Sequence, residues 1–132
     1  MIVTDRQEEL GLWISKKIGV GYIKDKAVYI GWVINNVIKC VVSYESYAKR
    51  SIVAGIAAEN TRIPIEFIRY AFYYPFEQLK VNKIITIIQE NNQKSLKIIK
   101  HMGFEEECRI TDACESGDLI IATVTRNRCK YI

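Results

Sequence analysis

The sequence has few of the residues that build metal sites and disulfide frameworks. Its 132 residues include a single histidine, and none of its four cysteines forms a CxxC pair. Such scattered residues give little support for a zinc site. We therefore expect no metal site, and free thiols in a reducing, cytoplasmic environment. The thiols are those of Cys40, Cys108, Cys114 and Cys129.

The sequence also lacks long apolar runs and segments of biased amino-acid composition. No stretch approaches the roughly 20 apolar residues of a membrane span. The first ten residues lack the basic-then-apolar order of a signal peptide. No repeat, low-complexity stretch or linker divides the chain, so we predict one domain over residues 1–132, with no membrane partner.

The charge of the chain is moderately basic. Lysine and arginine number 19 against 15 acidic residues, which gives a net charge of +4. This excess is compatible with an anionic ligand such as a nucleotide cofactor or a nucleic acid. Because the basic residues do not form one block, charge alone does not predict nucleic-acid binding, which stays an alternative.

A capping-box pattern predicts a helix near the start of the chain. Thr4 and Gln7 have the spacing at which two side chains satisfy each other's backbone amides. Apolar residues follow at helical spacing and predict a helix over Asp5–Ile18. Gly19 or Gly21 would end it, because glycine readily takes the left-handed conformation.

Three strands are predicted next. Val28–Ile34 and Val37–Ser43 are β-rich runs, and the dipeptide Asn35-Asn36 between them tolerates the positive φ of a tight hairpin. Ser51–Ala58 is rich in small and apolar residues, which favours a central strand covered on both faces.

The second half of the chain predicts a helix, a strand, a helix and two strands. Pro64 suits the first position of a helix, and Pro75 should kink or divide that helix. The remaining predicted elements are a strand over Lys83–Gln89, a helix over Asn92–Met102, a strand over Phe104–Ile110, a polar loop over Thr111–Gly117 and a strand over Leu119–Thr125. This order predicts an α/β (α+β) domain with a mixed sheet and helices on both faces.

The corner between the strand at Lys83–Gln89 and the following helix carries the most specific pattern. A strand that enters a helix through a polar turn can bind an anionic or strongly hydrogen-bonding ligand. The spelling of this corner resembles the N-x-x-S-x-x-φ-φ-x-x-x-G-F signature of GNAT N-acetyltransferases. The branch it resembles most includes ribosomal-protein N-terminal acetyltransferases and compact phage-encoded relatives. The matching residues are Asn92, Ser95, Ile98, Ile99, Gly103 and Phe104.

The resemblance implies a fold and a reaction. GNAT proteins have a mixed, mostly antiparallel sheet in which two parallel strands splay apart, here Ser51–Ala58 and Lys83–Gln89. They transfer an acetyl group from acetyl-coenzyme A directly to a primary amine. A backbone N–H on the central strand, near Ala57–Glu59, would polarise the thioester oxygen.

The resemblance also assigns roles to individual residues. It implies that Ser95 is the partner of the departing thiolate. Glu59, at the end of the central strand near the expected place of the amine, is the candidate to accept its proton, with Glu45 and Tyr44 or Tyr47 as weaker substitutes. The cofactor pyrophosphate would lie at the start of the helix after the central strand, where N–H groups are unpaired. The implied cofactor-binding residues are Ala57, Ala58, Asn60, Thr61, Arg62, Asn92 and Ser95.

Two departures from the family pattern are visible. The usual pyrophosphate loop contains glycines, whereas Glu59–Phe67, ENTRIPIEF, has none. Many members also place a tyrosine at the position of Ile99 to protonate the thiolate, so Ser95 or a water would have to serve here.

Ordinary structural interpretations stay open beside the functional ones. Asn92 can be a plain helix cap, Ser95 a solvent-facing serine, Glu59 a solvated carboxylate and Arg62 a surface residue. The chain as a whole has an alternative function as a catalytically degenerate GNAT-fold protein that binds a phage or host protein or DNA. The aromatic run Tyr70–Phe76 indicates core packing or a homodimer contact.

Overall fold

The computed structural model describes residues 1–59 and 62–132. Asn60 and Thr61, both predicted to contact a cofactor, lie outside the described residues. The strands are β1 (Ile2–Val3), β2 (Val28–Ile34), β3 (Val37–Glu45), β4 (Ser51–Ala58), β5 (Lys83–Gln89), β6 (Glu105–Cys114) and β7 (Gly117–Thr125). The helices are α1 (Gln7–Ile18), α2 (Ile65–Tyr73) and α3 (Gln93–His101), with a π turn at Tyr74–Gln78 and a 3-10 turn at Arg126–Arg128.

The seven strands form one sheet in the order β1-β2-β3-β4-β5-β7-β6. Within the described residues, β4 and β5 are the one parallel pair, and every other neighbouring pair is antiparallel. The predicted fold class, a mixed and mostly antiparallel sheet with helices, is confirmed. The bounds of β4 and β5 are also those predicted.

The hairpin between β2 and β3 turns at the two asparagines. Asn35 and Asn36 have φ angles of 48° and 64°. Both values lie in the left-handed region that asparagine tolerates better than most residues. The predicted tight turn is confirmed.

Helices cover the sheet on both faces, with a separate apolar core on each side. On one face, α1 packs against β2, β3 and β4 through Leu10 and Ile14, which are almost fully buried. On the opposite face, Phe67 of α2 and Ile99 of α3 pack over a larger core that includes Ile84 of β5. No helix of residues 1–59 and 62–132 is long and apolar enough to cross a membrane.

The predicted capping box at the start of α1 is wrong. Arg6 precedes the helix without a side-chain cap, and Gln7 instead pairs with the backbone of Tyr29 on β2. Its Nε2 donates to the Tyr29 carbonyl at 2.7 Å, and its Oε1 accepts from the Tyr29 N–H at 2.8 Å. Gly19 ends the helix with a φ of 75°, as one of the two predicted glycines.

The two prolines limit α2. Pro64 is the residue before the helix rather than its first residue, and Pro75 ends the regular helix in a π turn, as its missing N–H predicts. In the aromatic run Tyr70–Phe76, which includes Pro75, the rings of Phe72 and Phe76 stack in the core, whereas Tyr73 is 46% exposed. Core packing is confirmed, and the homodimer contact stays a prediction.

The edge strand β6 is longer than the sequence indicated. Thr111–Gly117 was expected to be a polar loop, but β6 continues to Cys114 and Gly117 already belongs to β7. The ladder between them has irregularities between Glu106 and Cys108 and between Ile110 and Cys114. Such bulges insert unpaired residues and break the alternation from which a strand is recognised. The short β1 was not predicted either.

Candidate functional site

The parallel strands β4 and β5 separate part of the way along their length. They pair only over Ser51–Val53 and Lys83–Ile85, although β4 continues to Ala58 and β5 to Gln89. The gap between their diverging ends is a cleft of about 810 Å³. This volume is within the range of small-molecule sites in proteins.

Small side chains keep the β4 wall of the cleft open. Gly55, Ala57 and Ala58 all line it. Gly55 has no room for a larger side chain, because an added Cβ would lie 2.9 Å from the Oγ of Ser43 on the neighbouring strand β3. The run of small residues that predicted a central strand therefore also forms the wall of the gap.

Backbone N–H groups on β4 point into the cleft. The Glu59 N–H donates to the Lys39 carbonyl of β3 at 2.8 Å, and Ala57 pairs with Val41 in the same register. Alternate residues of a strand direct their N–H groups to opposite sides. The N–H groups of Ile56 and Ala58 consequently face the cleft, where β5 no longer pairs with β4. Of the predicted range Ala57–Glu59, only Ala58 offers its N–H to a ligand.

The N-terminal part of α3 forms the other wall. Asn92 caps the helix, with its Oδ1 accepting from the Ser95 N–H at 3.2 Å, and Asn92, Ser95 and Ile98 line the cleft. Ile99 is 5% exposed and points into the core. Ser95 is therefore the hydroxyl that the described part of α3 places at the cleft.

Substitutions of Asn92 can separate its role as a helix cap from its predicted role as a cofactor contact. Asn92→Ala should lower the free energy of unfolding by about 1 kcal/mol, because the Ser95 N–H loses its partner. Asn92→Ser keeps a capping oxygen and should retain most of that stability. Urea denaturation of both variants measures the contribution of the cap to stability.

If Asn92 also contacts a cofactor, Asn92→Ser should weaken cofactor binding while its unfolding midpoint stays close to that of the parent. Equal stability of Asn92→Ala and the parent would contradict the capping role.

Glu59 is paired with a lysine of α1. The Lys17 Nζ lies 2.5 Å from the Glu59 Oε1, and both side chains are about two-fifths exposed at 39% and 41%. The hydrogen bond from Lys17 lowers the pKa of Glu59, and the charges of Lys17, Lys39 and Lys94 act in the same direction. Glu59 is thus an ionised carboxylate at neutral pH, with Lys17 paired to its Oε1.

A second groove of about 670 Å³ begins where the cleft meets the start of α2. Its basic lining residues include Arg62, Lys94 and Lys97. The Phe67 N–H, in the first turn of the helix, turns back to the Pro64 carbonyl at 3.1 Å, and Pro64 has no N–H of its own. Free amides at this helix start are therefore fewer than in an uncapped helix, and the groove presents cations on side chains instead.

Sequence reasoning missed three residues of these sites. Lys17, Lys94 and Lys97 were not among the predicted site residues. Lys94 lies across the cleft mouth, with its Nζ 3.4 Å from the Ala58 carbonyl. The helical spacing of Asn91, Lys94, Ser95 and Ile98 is a signal that could have placed Lys94 on the cleft side.

Comparison with known proteins resolves the fold. No protein-family model and no curated protein matches this sequence. The ribosomal-protein-S5-alanine acetyltransferase of Vibrio fischeri is similar in structure, with 18% identity and a TM-score of 0.64 over 92% of this chain and 70% of that one. An acetyltransferase of the GNAT family from Bacillus anthracis has 14% identity and a TM-score of 0.65 over 88% and 72%.

The alignment with a third structure covers nearly the whole of both chains. It is a chimera of the spermidine N-acetyltransferase of Vibrio cholerae and hSSAT, with 15% identity and a TM-score of 0.76 over 99% of this chain and 97% of that one. This chain has the GNAT fold. The parallel pair that the resemblance implied is present as β4 and β5 and separates after Val53, whereas the branch of the family stays a prediction. Because one fold supports many activities, the reaction has to be argued from the cleft.

Proposed function

We propose that this GNAT-fold chain is an acetyl-coenzyme A-dependent N-acetyltransferase that transfers the acetyl group directly to a primary amine. The observation that carries the proposal is the opening between β4 and β5, with the N–H groups of Ile56 and Ala58 unpaired at its wall. An extended ligand with an amide-rich arm can pair there like an added strand. The acetyltransferases of the same fold support this reading.

The two grooves fit different parts of the cofactor. The cleft between β4 and α3 accepts the narrow pantetheine arm, with Asn92 and Ser95 beside it. The groove at the start of α2 accepts the phosphates, which Arg62, Lys94 and Lys97 neutralise. In this proposal, basic side chains replace the glycine-rich loop as the main phosphate contact. Asn60 and Thr61 remain proposed contacts at the same place in the sequence.

The chemistry requires positioning and two proton transfers. The cofactor supplies an activated acetyl thioester. The Ala58 N–H donates to the thioester oxygen as negative charge develops there. The amine nitrogen forms a bond to the acetyl carbon while the carbon–sulfur bond breaks. The thiolate would take a proton from water, either directly or relayed through the Ser95 hydroxyl, which would regain its proton from that water, and Glu59 would accept the amine proton, directly or through water. Free thiols on all four cysteines suit the reducing cytoplasm that we propose as the location.

A thermal-shift titration tests cofactor binding. Coenzyme A and acetyl-coenzyme A should each raise the melting temperature by several degrees, because a ligand at 100 times its Kd contributes about 2.7 kcal/mol to folded-state stability. Lys97→Ala should weaken this response. Lys24→Ala, which removes an exposed lysine outside both grooves, is the matched control.

Duplex DNA is titrated in parallel to test the alternative function, that of a catalytically degenerate GNAT-fold protein that binds DNA. The absence of any shift at millimolar coenzyme A, together with salt-dependent binding of the duplex, would contradict the enzymatic proposal and support a degenerate binding protein.

A further inference from the structure

A narrow apolar cavity borders the cleft on the side of the sheet that α2 and α3 cover. Its volume is about 50 Å³. Val42 of β3 lies on its sheet side, and Ala71 of α2 and Ile99 of α3 line it from the helices. Among the described residues that line the cavity, Tyr44 and Thr86 have polar side chains and none is charged. The cavity is therefore suited to an uncharged, apolar group.

The cavity and the cleft share part of their lining. Gly55, Ile56 and Thr86 line both of them. Thr86 directly follows Ile85, the last residue of β5 that pairs with β4. The cavity therefore begins where the two strands separate, beside the part of the cleft wall on which the Ile56 N–H is unpaired.

The two polar side chains do not prepare the cavity for a charged group. The Tyr44 hydroxyl donates its proton to the Ala71 carbonyl at 2.6 Å, and Thr86 contributes a neutral hydroxyl that is 5% exposed. An apolar cavity holds an apolar group more readily than water. A carboxylate that entered it would lose its hydration without gaining a cation in return.

The volume of the cavity limits the size of the group that it can hold. An apolar cavity of about 150 Å³ holds the six carbons of benzene, so a cavity of 50 Å³ corresponds to about two carbons. A butyryl group is longer than an acetyl group by two methylenes. The cavity therefore matches the part of a butyryl group that an acetyl group lacks.

We propose that this cavity receives the end of a short, uncharged acyl chain, so that the protein transfers propionyl and butyryl groups as well as acetyl groups. The cavity would select among acyl thioesters by length and by charge. This inference rests on the proposed acetyltransferase function. The transfer step is the same for each donor: the amine nitrogen bonds to the acyl carbon as the carbon–sulfur bond breaks, the thiolate takes a proton from water, and Glu59 accepts the amine proton, directly or through water.

Isothermal titration calorimetry with thioesters of coenzyme A, in the absence of an acceptor amine, tests both kinds of selection. Each buried methylene contributes about fourfold to affinity, so butyryl-coenzyme A should bind roughly 15-fold more tightly than acetyl-coenzyme A. Hexanoyl-coenzyme A, whose chain exceeds the cavity, should bind no more tightly than the butyryl thioester. Succinyl-coenzyme A is the matched control, because its acyl group has as many carbons as butyryl but ends in a carboxylate. It should bind no more tightly than acetyl-coenzyme A.

Variants connect this preference to the cavity. Ala71→Val adds two carbons from α2, which is about the volume of the cavity, so the ratio of butyryl to acetyl affinity should fall to about one. Ala27→Val adds the same two carbons at a half-buried position against the core on the α1 face, and it should keep the ratio of the parent. Ile99→Val enlarges the cavity and should move the optimum toward longer acyl chains. It tests the cavity even if Ala71→Val does not fold.

The position of the bound acyl chain provides a second readout that does not depend on affinity. In NMR spectra of the complex with butyryl-coenzyme A, the terminal methyl of the acyl group should show NOEs to the methyl groups of Ile99 and Met102, which line the cavity. It should show none to Ile14, which is equally buried on the α1 face.

The outcomes distinguish this inference from the proposed function. Binding of coenzyme A and acetyl-coenzyme A with no gain from longer acyl chains would overturn the inference and leave the acetyltransferase proposal intact. Equal affinity for succinyl and butyryl thioesters, or a preference that Ala71→Val and Ile99→Val leave unchanged, would also overturn it. If neither coenzyme A nor any of its thioesters bound, both the acetyltransferase proposal and the inference would be overturned.

Discussion

Ala58→Pro is expected to lower kcat by roughly 100- to 1000-fold, the usual cost of removing one donor to a developing oxyanion. Proline removes the N–H that faces the cleft. Because that N–H has no partner on β3 or β5, its loss breaks no bond of the sheet. Ala58 is the last residue of β4, and proline is tolerated where the N–H side of a strand is unpaired. The melting temperature should therefore change little.

The neighbouring residue provides the control for this prediction. Ala57→Pro removes an N–H directed toward Val41 of β3, so it should lower the melting temperature by several degrees. Single-turnover rates with saturating acetyl-coenzyme A and the best acceptor measure the chemical step. If a folded Ala58→Pro protein kept the parent rate, the Ala58 N–H would not take part in catalysis, and the Ile56 N–H would be the next candidate.

Phe67→Ala is expected to lower the free energy of unfolding by about 3–5 kcal/mol. Phe67 is fully buried at 0% exposure, and its ring centroid lies 6.2 Å from that of Trp32 on β2. It anchors the start of α2 to the sheet, so truncation removes apolar burial and leaves a cavity. A chain of this size has a total stability of about 7–20 kcal/mol, so the loss is a large share of it.

Two variants bracket the effect of Phe67→Ala. Phe67→Leu keeps most of the apolar volume and should cost clearly less. Ile65→Ala lies on the same helix at 52% exposure and should change stability by no more than about 0.5 kcal/mol. Urea denaturation with a common m-value measures all three. A loss below about 1 kcal/mol for Phe67→Ala would show that α2 is not held by this side chain.

The anchoring of α2 matters for the proposed site. The Tyr44 hydroxyl of β3 donates to the Ala71 carbonyl at 2.6 Å, and burial raises the pKa of Tyr44 well above its usual value. This hydroxyl stays protonated and continues to donate across the physiological pH range. Together with Phe67, it fixes the helix whose first turn borders the proposed phosphate groove.

The way in which phosphates would be held has a measurable consequence. A glycine-rich loop binds phosphate through rigid backbone amides, whereas Arg62, Lys94 and Lys97 are long side chains on the protein surface. Contacts from exposed cations are screened by salt and require the ordering of flexible side chains. Coenzyme A affinity in this chain should accordingly depend on ionic strength.

Local patterns in the sequence were sufficient for several elements. β4 and β5 begin and end where their composition indicated, and α3 is capped by Asn92 as predicted. In each case the signal and the structure that it specifies involve the same few residues. The cap bonds a residue three positions away, and strand composition is read within one segment.

Predictions were wrong where a distant partner decided the structure. The Gln7 Nε2 reaches back to the Thr4 carbonyl at 2.8 Å, but the Oε1 that a capping box needs accepts instead from the Tyr29 N–H, 22 residues away. Thr111–Cys114 has loop-like composition, yet it extends β6 alongside β7. An exposed and bulged edge strand needs no apolar alternation, so its sequence resembles that of a loop.

The sequence alone therefore determined the order of the elements after β1, the fold class and the corner that resembles GNAT proteins. These features depend on periodicity, turn residues and caps that act over a few positions. Only the tertiary structure decided that β4 and β5 separate after Val53, that the Ala58 N–H faces the gap, and that Lys17 occupies Glu59. Those facts depend on strand register and on side chains 42 residues apart, which no local pattern encodes.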